Sequence, residues 1–253
     1  MLNKIIKSIS KAVPHKGLAW FGALVEVVLS VIIVFVFLVG KKEDGAVLEF
    51  SMDVDRNVYI RSDYGEPPQL AIWLEQPGTG KIRTVWVARR SGRRLWKGKV
   101  ECPTALPYWE SRHKKEKSEY EERGLLERLV DAVSGATPKD GTFKVKVTVP
   151  PGSEWQYYIE VNISGDYNVD FPSRLEDGTP DPEGNGQPSL IYKGWISGVL
   201  HVSNTPQLVG RTDQWMAVDY IITDLKGIDS AKKALSNINV SCIFVPPKED
   251  KEE

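Results

Sequence analysis

From residue 46 onward the chain is governed by a two-residue period, and little except a β protein can satisfy it. AVLEFSMDVD from Ala46, QLAIWLEQ from Gln69, KIRTVWVARR from Lys81, TFKVKVTV from Thr142, WQYYIEVNIS from Trp155, SLIYKGWIS from Ser189, QWMAVDYIIT from Gln214 and NINVSCIFV from Asn237 all alternate. Each mixes β-branched and aromatic residues, and alternation sends successive side chains to opposite faces of a strand. Eight such stretches between turn residues predict a mainly β fold, a β-sandwich of the Ig-like kind. PGTG, at 77–80, is short and glycine-bearing, as a hairpin between the second and third strands requires. One insertion breaks the period. Residues 106–133 are charged and rich in helix formers, with Leu125, Leu126 and Leu129 on one stripe, which predicts a helix. A shorter helix is predicted at Ser230–Leu235, and Arg174–Pro188 holds too many Pro and Gly for anything but a long loop.

The N-terminus adds an expectation about place. Lys4, Lys7, Lys11 and Lys16 precede a stretch that is apolar from Leu18 to Val39 except for Glu26. About 20 such residues span hydrocarbon as a helix, and the basic excess stays on the cytoplasmic side. The expected organisation is a cytoplasmic basic segment (1–17), a transmembrane helix (18–40), an extracytoplasmic β-sandwich with its helical insertion (45–246) and a charged tail (247–253). The chain is expected in the inner membrane as a single-pass protein with its main domain periplasmic. A cleaved signal peptide competes with the anchor, but it would have a shorter apolar region and a small-x-small site, which FLVGKKEDG does not offer. Glu26 either faces a membrane partner or lies shallow enough to be tolerated. Thirty-three basic against thirty-four acidic side chains give a net charge of −1, and nothing in this balance points to a nucleic-acid partner.

VDAVSGATPKDG, from Val130 to Gly141, admits two readings. In the first, a helix ends near Val133, Gly135 closes it in the left-handed conformation, and Pro138 prevents its continuation. That accounts for Gly135 and Pro138 only. In the second, Asp131, Ser134, Gly135, Ala136 and Thr137 together match Asp-x-x-Ser/Thr-Gly-Ala-Thr. From average residue usage, a chance match in a chain of this length has a probability well under about 1%. The pattern resembles the attachment motif of the FMN-binding subunits of the Rnf and Nqr electron-transport complexes, which carry covalent FMN on a threonine. The resemblance implies that a flavin transferase moves FMN from FAD to the Thr137 hydroxyl. Gly135 and Ala136 are small enough to admit the segment to that enzyme's site, and Asp131 is the candidate to orient the hydroxyl or the transferase's metal. The motif departs downstream, where Pro138–Gly141 turns into a strand rather than a helix.

A second resemblance covers more of the chain. AIWLEQPGTGKIRTVWVARR, LPYWESRH, DAVSGATPKDG, YYIEVNISGDYN and NGQPSLIYKG, between Ala71 and Gly194, look like a family of predicted periplasmic proteins of unknown function. Genes for that family often sit beside flavin transferases and PepSY-type membrane reductases. This resemblance implies a β-sandwich in a redox setting, with no established catalytic residue. Together the two imply a membrane-anchored electron carrier with covalent FMN, partnered by a membrane reductase and a flavin transferase. The alternative is a cofactor-free interaction subunit of a membrane complex. A hydrolase has no support, since no nucleophile, His and acid stand in a recognisable arrangement.

Other candidate residues carry less. Asp181, Glu183 and Asn185 imitate half a calcium loop, but Tyr192 stands where the bidentate Glu belongs. His15, His113 and His201 are scattered and no CxxC occurs, so neither a zinc cluster nor an attached haem is expected. Cys102 and Cys242 either pair in an oxidising compartment or stay as buried thiols. KIRTVWVARRSGRRLWKGK, from Lys81 to Lys99, reads as a hairpin with eight basic residues and no acid. It is either a solvated face or a seat for an FMN phosphate, an anionic lipid surface or an acidic partner.

Overall fold

The computed structural model describes residues 45–121, 134–137 and 139–247. The expected membrane span, Glu26, Leu125, Leu126, Leu129 and Asp131 lie outside the described residues, as does nearly all of the charged tail. No helix among the described residues is long and apolar enough to cross a membrane.

Seven of the eight alternating stretches are strands. They are β1 (Ala46–Val54), β2 (Gln69–Glu75), β3 (Ile82–Ala88), β5 (Gly141–Val149), β6 (Glu154–Asn162), β7 (Leu190–Ser197) and β10 (Leu235–Phe244). Three short strands complete the set: β4 (Ser134–Gly135), β8 (Ser203–Asn204) and β9 (Gln207–Arg211). They form two sheets, one of four strands in the order β5-β1-β10-β8 and one of six in the order β4-β3-β2-β6-β7-β9. All pairings are antiparallel except β3 with β4. The fold is therefore mainly β.

Alternation explains the first core. Leu48, Phe50 and Met52 of β1, Leu70, Ile72 and Leu74 of β2, and Tyr157, Ile159 and Val161 of β6 belong to one buried cluster that both sheets share. Phe50 and Tyr157 meet edge to face across it, centroids 5.6 Å apart, a favoured aromatic geometry. The opposite face of the six-stranded sheet is covered as well. Helix α3 (Pro107–Glu121), which follows the short helices α1 (Arg56–Tyr59) and α2 (Arg89–Arg93), lies over β3. Leu106, Tyr108 and Trp109 join Trp73 and Tyr158 in a second cluster, in which Trp73 stacks on Tyr158 at 5.1 Å. Trp73 has no exposed surface at all. The helical insertion is thus helical over Pro107–Glu121, and the rest of it lies outside the described residues.

Two expectations fail. Gln214–Thr223 is not a strand: the Asp213 carboxylate accepts hydrogen bonds from Trp215 N at 2.9 Å and Met216 N at 3.0 Å, so a turn consumes the backbone donors a ladder would need. The chain then loops back so that only Ile222 bridges to Arg211, leaving Met216 and Tyr220 exposed. Likewise the basic run is no hairpin. β3 passes directly into α2, which Arg94 ends in the left-handed conformation at φ 51°. The loop at Arg174–Pro188 is irregular as expected, the predicted helix at Ser230–Leu235 is a single 3₁₀ turn over Ser230–Lys233, and PGTG closes a hairpin with Gly78 and Gly80 at positive φ.

The two cysteines are both buried and both free. Cys242 belongs to the core shared by the sheets, whereas Cys102 belongs to the cluster beneath α3 and contacts Gly184 O at 3.4 Å. A bridge between two different cores would require the intervening sheet to open. Denaturing alkylation without reductant is expected to label two thiols per chain, with neither accessible in the native protein. Recovery of unlabelled protein under those conditions would contradict this arrangement.

Candidate functional site

The segment around Thr137 is held by the edge of the six-stranded sheet. β4 runs parallel to β3, with Val87 opposite Ser134 and Ala88 opposite Gly135. Gly135 lies against the indole of Trp86, and a Cβ at this position would meet Trp86 Nε1 at 2.8 Å. Only glycine permits that approach. Its φ lies outside the left-handed region, so the helix-closing role expected for Gly135 is corrected: the residue is needed for proximity, not for a turn. Downstream, Tyr59 donates its hydroxyl to Lys139 O at 2.5 Å, and the chain enters β5 through Gly141 at φ 76°.

Thr137 lines an open cavity of about 410 Å³. Its lining holds the cations Arg89, Arg90, Lys99 and Lys139 and the apolar side chains Pro67, Ala88 and Leu95, with Gly135, Ala136 and Glu66 completing it. The basic run and the attachment motif, distant in the chain, therefore share one site. Two parts of the run converge because α2 reverses the chain after β3 and returns Leu95 and Lys99 to the strand's end. Glu66 is the carboxylate among them: its Oε2 lies 3.3 Å from Arg90 Nη2, and its Oε1 accepts from Lys99 Nζ. Ser134 is engaged elsewhere, since its hydroxyl accepts from Arg93 Nε at 3.0 Å. No hydrogen bond engages the Thr137 hydroxyl among the described residues.

Such a lining could hold a phosphate ester that bears a ring. Ligand cavities typically measure about 300–1,000 Å³, and guanidinium forks match phosphate oxygens geometrically. The lining offers charge for a phosphate and apolar surface for a ring, and the half-buried Thr137 stands among these residues.

Buried polar residues that the alternation did not reveal secure α3. Glu160, fully buried on β6, accepts hydrogen bonds from Trp109 N at 2.6 Å, Tyr108 N at 3.3 Å and Ser189 Oγ at 2.6 Å. It thus caps the helix from the sheet. Burial pushes its carboxyl up to about 7 against the hydrogen bonds, which act the other way. Glu116 makes the reverse connection, accepting from Thr84 N at 2.7 Å beside the irregularity where β2 and β3 shift register. His113 stacks on Trp109 and lies 3.1 Å from Glu116.

The remaining candidates do not come together. Glu183 accepts from Thr104 Oγ1 and Asn185 donates to Gln214 O, which tie the long loop down, while Asp181 accepts from Glu183 N within it. His113 belongs to α3, whereas His201 precedes β8 and donates its backbone N–H to Cys242 O of β10. Among the described residues no group of three or more His, Cys, Asp or Glu is arranged to hold a metal ion. No protein-family model matches this chain, and no curated protein or solved structure matches it.

Proposed function

We propose that this protein carries FMN esterified to Thr137 and relays electrons between a membrane reductase and an extracytoplasmic acceptor. The observation that carries the reading is the convergence of Thr137 with Arg89, Arg90, Lys99 and Lys139 on one cavity. In the attachment step the Thr137 oxygen attacks the phosphorus nearer the flavin in FAD. The pyrophosphate bond breaks, AMP leaves, and the hydroxyl proton passes to a base of the transferase. The bound flavin would supply the electron-transfer chemistry, and the protein supplies position and electrostatics. Arg89 and Arg90 would hold the phosphodiester oxygens, Pro67, Ala88 and Leu95 would shield one side of the ring, and Gly135 keeps the segment close to Trp86.

An Ig-like β-sandwich behind one transmembrane helix at 18–40, with the N-terminus cytoplasmic, belongs to the same reading. Support for it comes from the core shared by two sheets and from the basic-then-apolar order of residues 1–40. So does the resemblance to the periplasmic family encoded beside flavin transferases. A cofactor-free interaction subunit is the second reading, favoured by large apolar side chains left in solvent at Trp195, Met216 and Tyr220.

Coexpression with a flavin transferase is expected to give yellow protein that keeps its colour in denaturant and shows an FMN-sized mass increment on the peptide containing Thr137. Thr137→Ala should remain folded and colourless, because it removes a single hydroxyl with no hydrogen-bond partner among the described residues. Unmodified intact mass from a host with active transferase and FAD would reject the proposal in favour of the interaction subunit.

A further inference from the structure

We infer that the cavity beside Thr137 is a phosphate-ester site that works without any covalent bond, and that Glu66 is its internal stand-in for the phosphate. The inference rests on the reading of this cavity as a flavin site and adds how the site recognises its ligand. Its basis is the arrangement of charge. Four cationic side chains line the cavity, and a single carboxylate, Glu66, bridges two of them, Arg90 and Lys99. Among the described residues no carboxylate pairs with Arg89 or Lys139. The lining thus carries a cationic excess.

Glu66 does to Arg90 and Lys99 what a phosphate would do. Its two oxygens take one cation each, which holds a guanidinium and an ammonium in place on the same side of the cavity. The Arg90 and Glu66 side chains are only 21% and 22% exposed, so their pairing is less screened than that of a fully solvated pair. An entering phosphate monoester, carrying close to two negative charges, competes with one carboxylate for two cations that are already oriented. Arg89 and Lys139 give it additional partners that Glu66 does not occupy. The apolar lining residues Pro67, Ala88 and Leu95 then favour an ester bearing a flat apolar ring over inorganic phosphate. Free FMN has that chemistry, whereas riboflavin keeps the ring and lacks the charge.

The test uses the full chain carrying Thr137→Ala, which prevents covalent loading, titrated with free FMN, riboflavin and inorganic phosphate while flavin fluorescence is followed. FMN is expected to bind at least about tenfold more tightly than riboflavin, to be displaced by inorganic phosphate, and to weaken as salt is added. Adding Glu66→Gln, which keeps the shape and removes the competing charge, should tighten FMN about fivefold, while Arg90→Gln should weaken it about tenfold. Equal affinity for FMN and riboflavin, no FMN binding, or weaker binding by the Glu66→Gln protein would overturn the inference. The two proposals fail separately. Phosphate-dependent binding in a protein that transferase never modifies would sink the attachment and leave the site, and covalent loading without such binding would do the reverse.

Discussion

Glu160→Ala is expected to destabilise the protein by about 3–5 kcal/mol, the largest effect of any single polar substitution in the six-stranded sheet. The substitution strips acceptors from Tyr108 N and Trp109 N at the start of α3, removes a partner of Ser189, and leaves a hole beneath the helix. Glu160→Gln separates charge from shape. Its amide oxygen can accept from Trp109 N and its NH₂ can donate to Ser189, much as the protonated acid would.

The same residue sets a pH dependence. Its folded-state value of about 7 lies above the ordinary 4.5, so the folded protein binds a proton that the unfolded chain releases. Stability from this group is fully present below about pH 4.5 and is lost as pH rises toward and through about 7, by about 3 kcal/mol in all. Asp166, which burial pushes up to about 6 while Ser230 opposes the shift, adds a loss of the same sign. Because Asp166 is common to both proteins, the difference between wild type and Glu160→Gln isolates Glu160. Urea midpoints measured at about pH 5 and about pH 8 should fall more steeply for wild type than for the variant at unchanged m. Parallel profiles would show that Glu160 does not titrate in this window.

Glu160 also shows where alternation stops being informative. In WQYYIEVNIS the period of two assigns Trp155, Tyr157, Ile159 and Val161 to one face, and those residues do enter the shared core. It assigns Gln156, Tyr158, Glu160 and Asn162 to the other face, where polar side chains read as solvated. A helix covers that face, and periodicity within a strand carries no information about what packs on it from elsewhere. β4 escaped notice for a related reason, since two residues pairing in parallel with β3 have no period to display. Gln214–Thr223 erred the other way: its composition suits a strand, but Asp213 turns the backbone before pairing can begin. The basic run and Thr137 were each visible as chemistry, while their meeting on one cavity depends on the chain reversal at α2, which no local pattern specifies.

The sequence marks Gly135 as a required glycine without deciding why, and contact with Trp86 and closure of a helix predict different double mutants. Contact with Trp86 means that Gly135→Ala drives a methyl group against the indole, so either β4 moves off β3 or Trp86 shifts in the core. The expected cost is about 1–3 kcal/mol, typical of an overpacked contact. In a Trp86→Leu background, which is itself destabilised by loss of a buried ring, the further cost of Gly135→Ala should fall close to zero, a coupling of about 1–3 kcal/mol. A glycine closing a helix in the left-handed region would behave otherwise, because strain at a positive φ stays at about 1 kcal/mol whatever stands at position 86. Chemical denaturation of the four proteins in the cycle decides the matter, and additive costs would remove the steric explanation. The site feels the same displacement. With β4 pushed away from β3, Thr137 moves relative to Arg89 and Arg90; under the proposed attachment, Gly135→Ala should lower FMN incorporation in the wild-type background and Trp86→Leu should restore it.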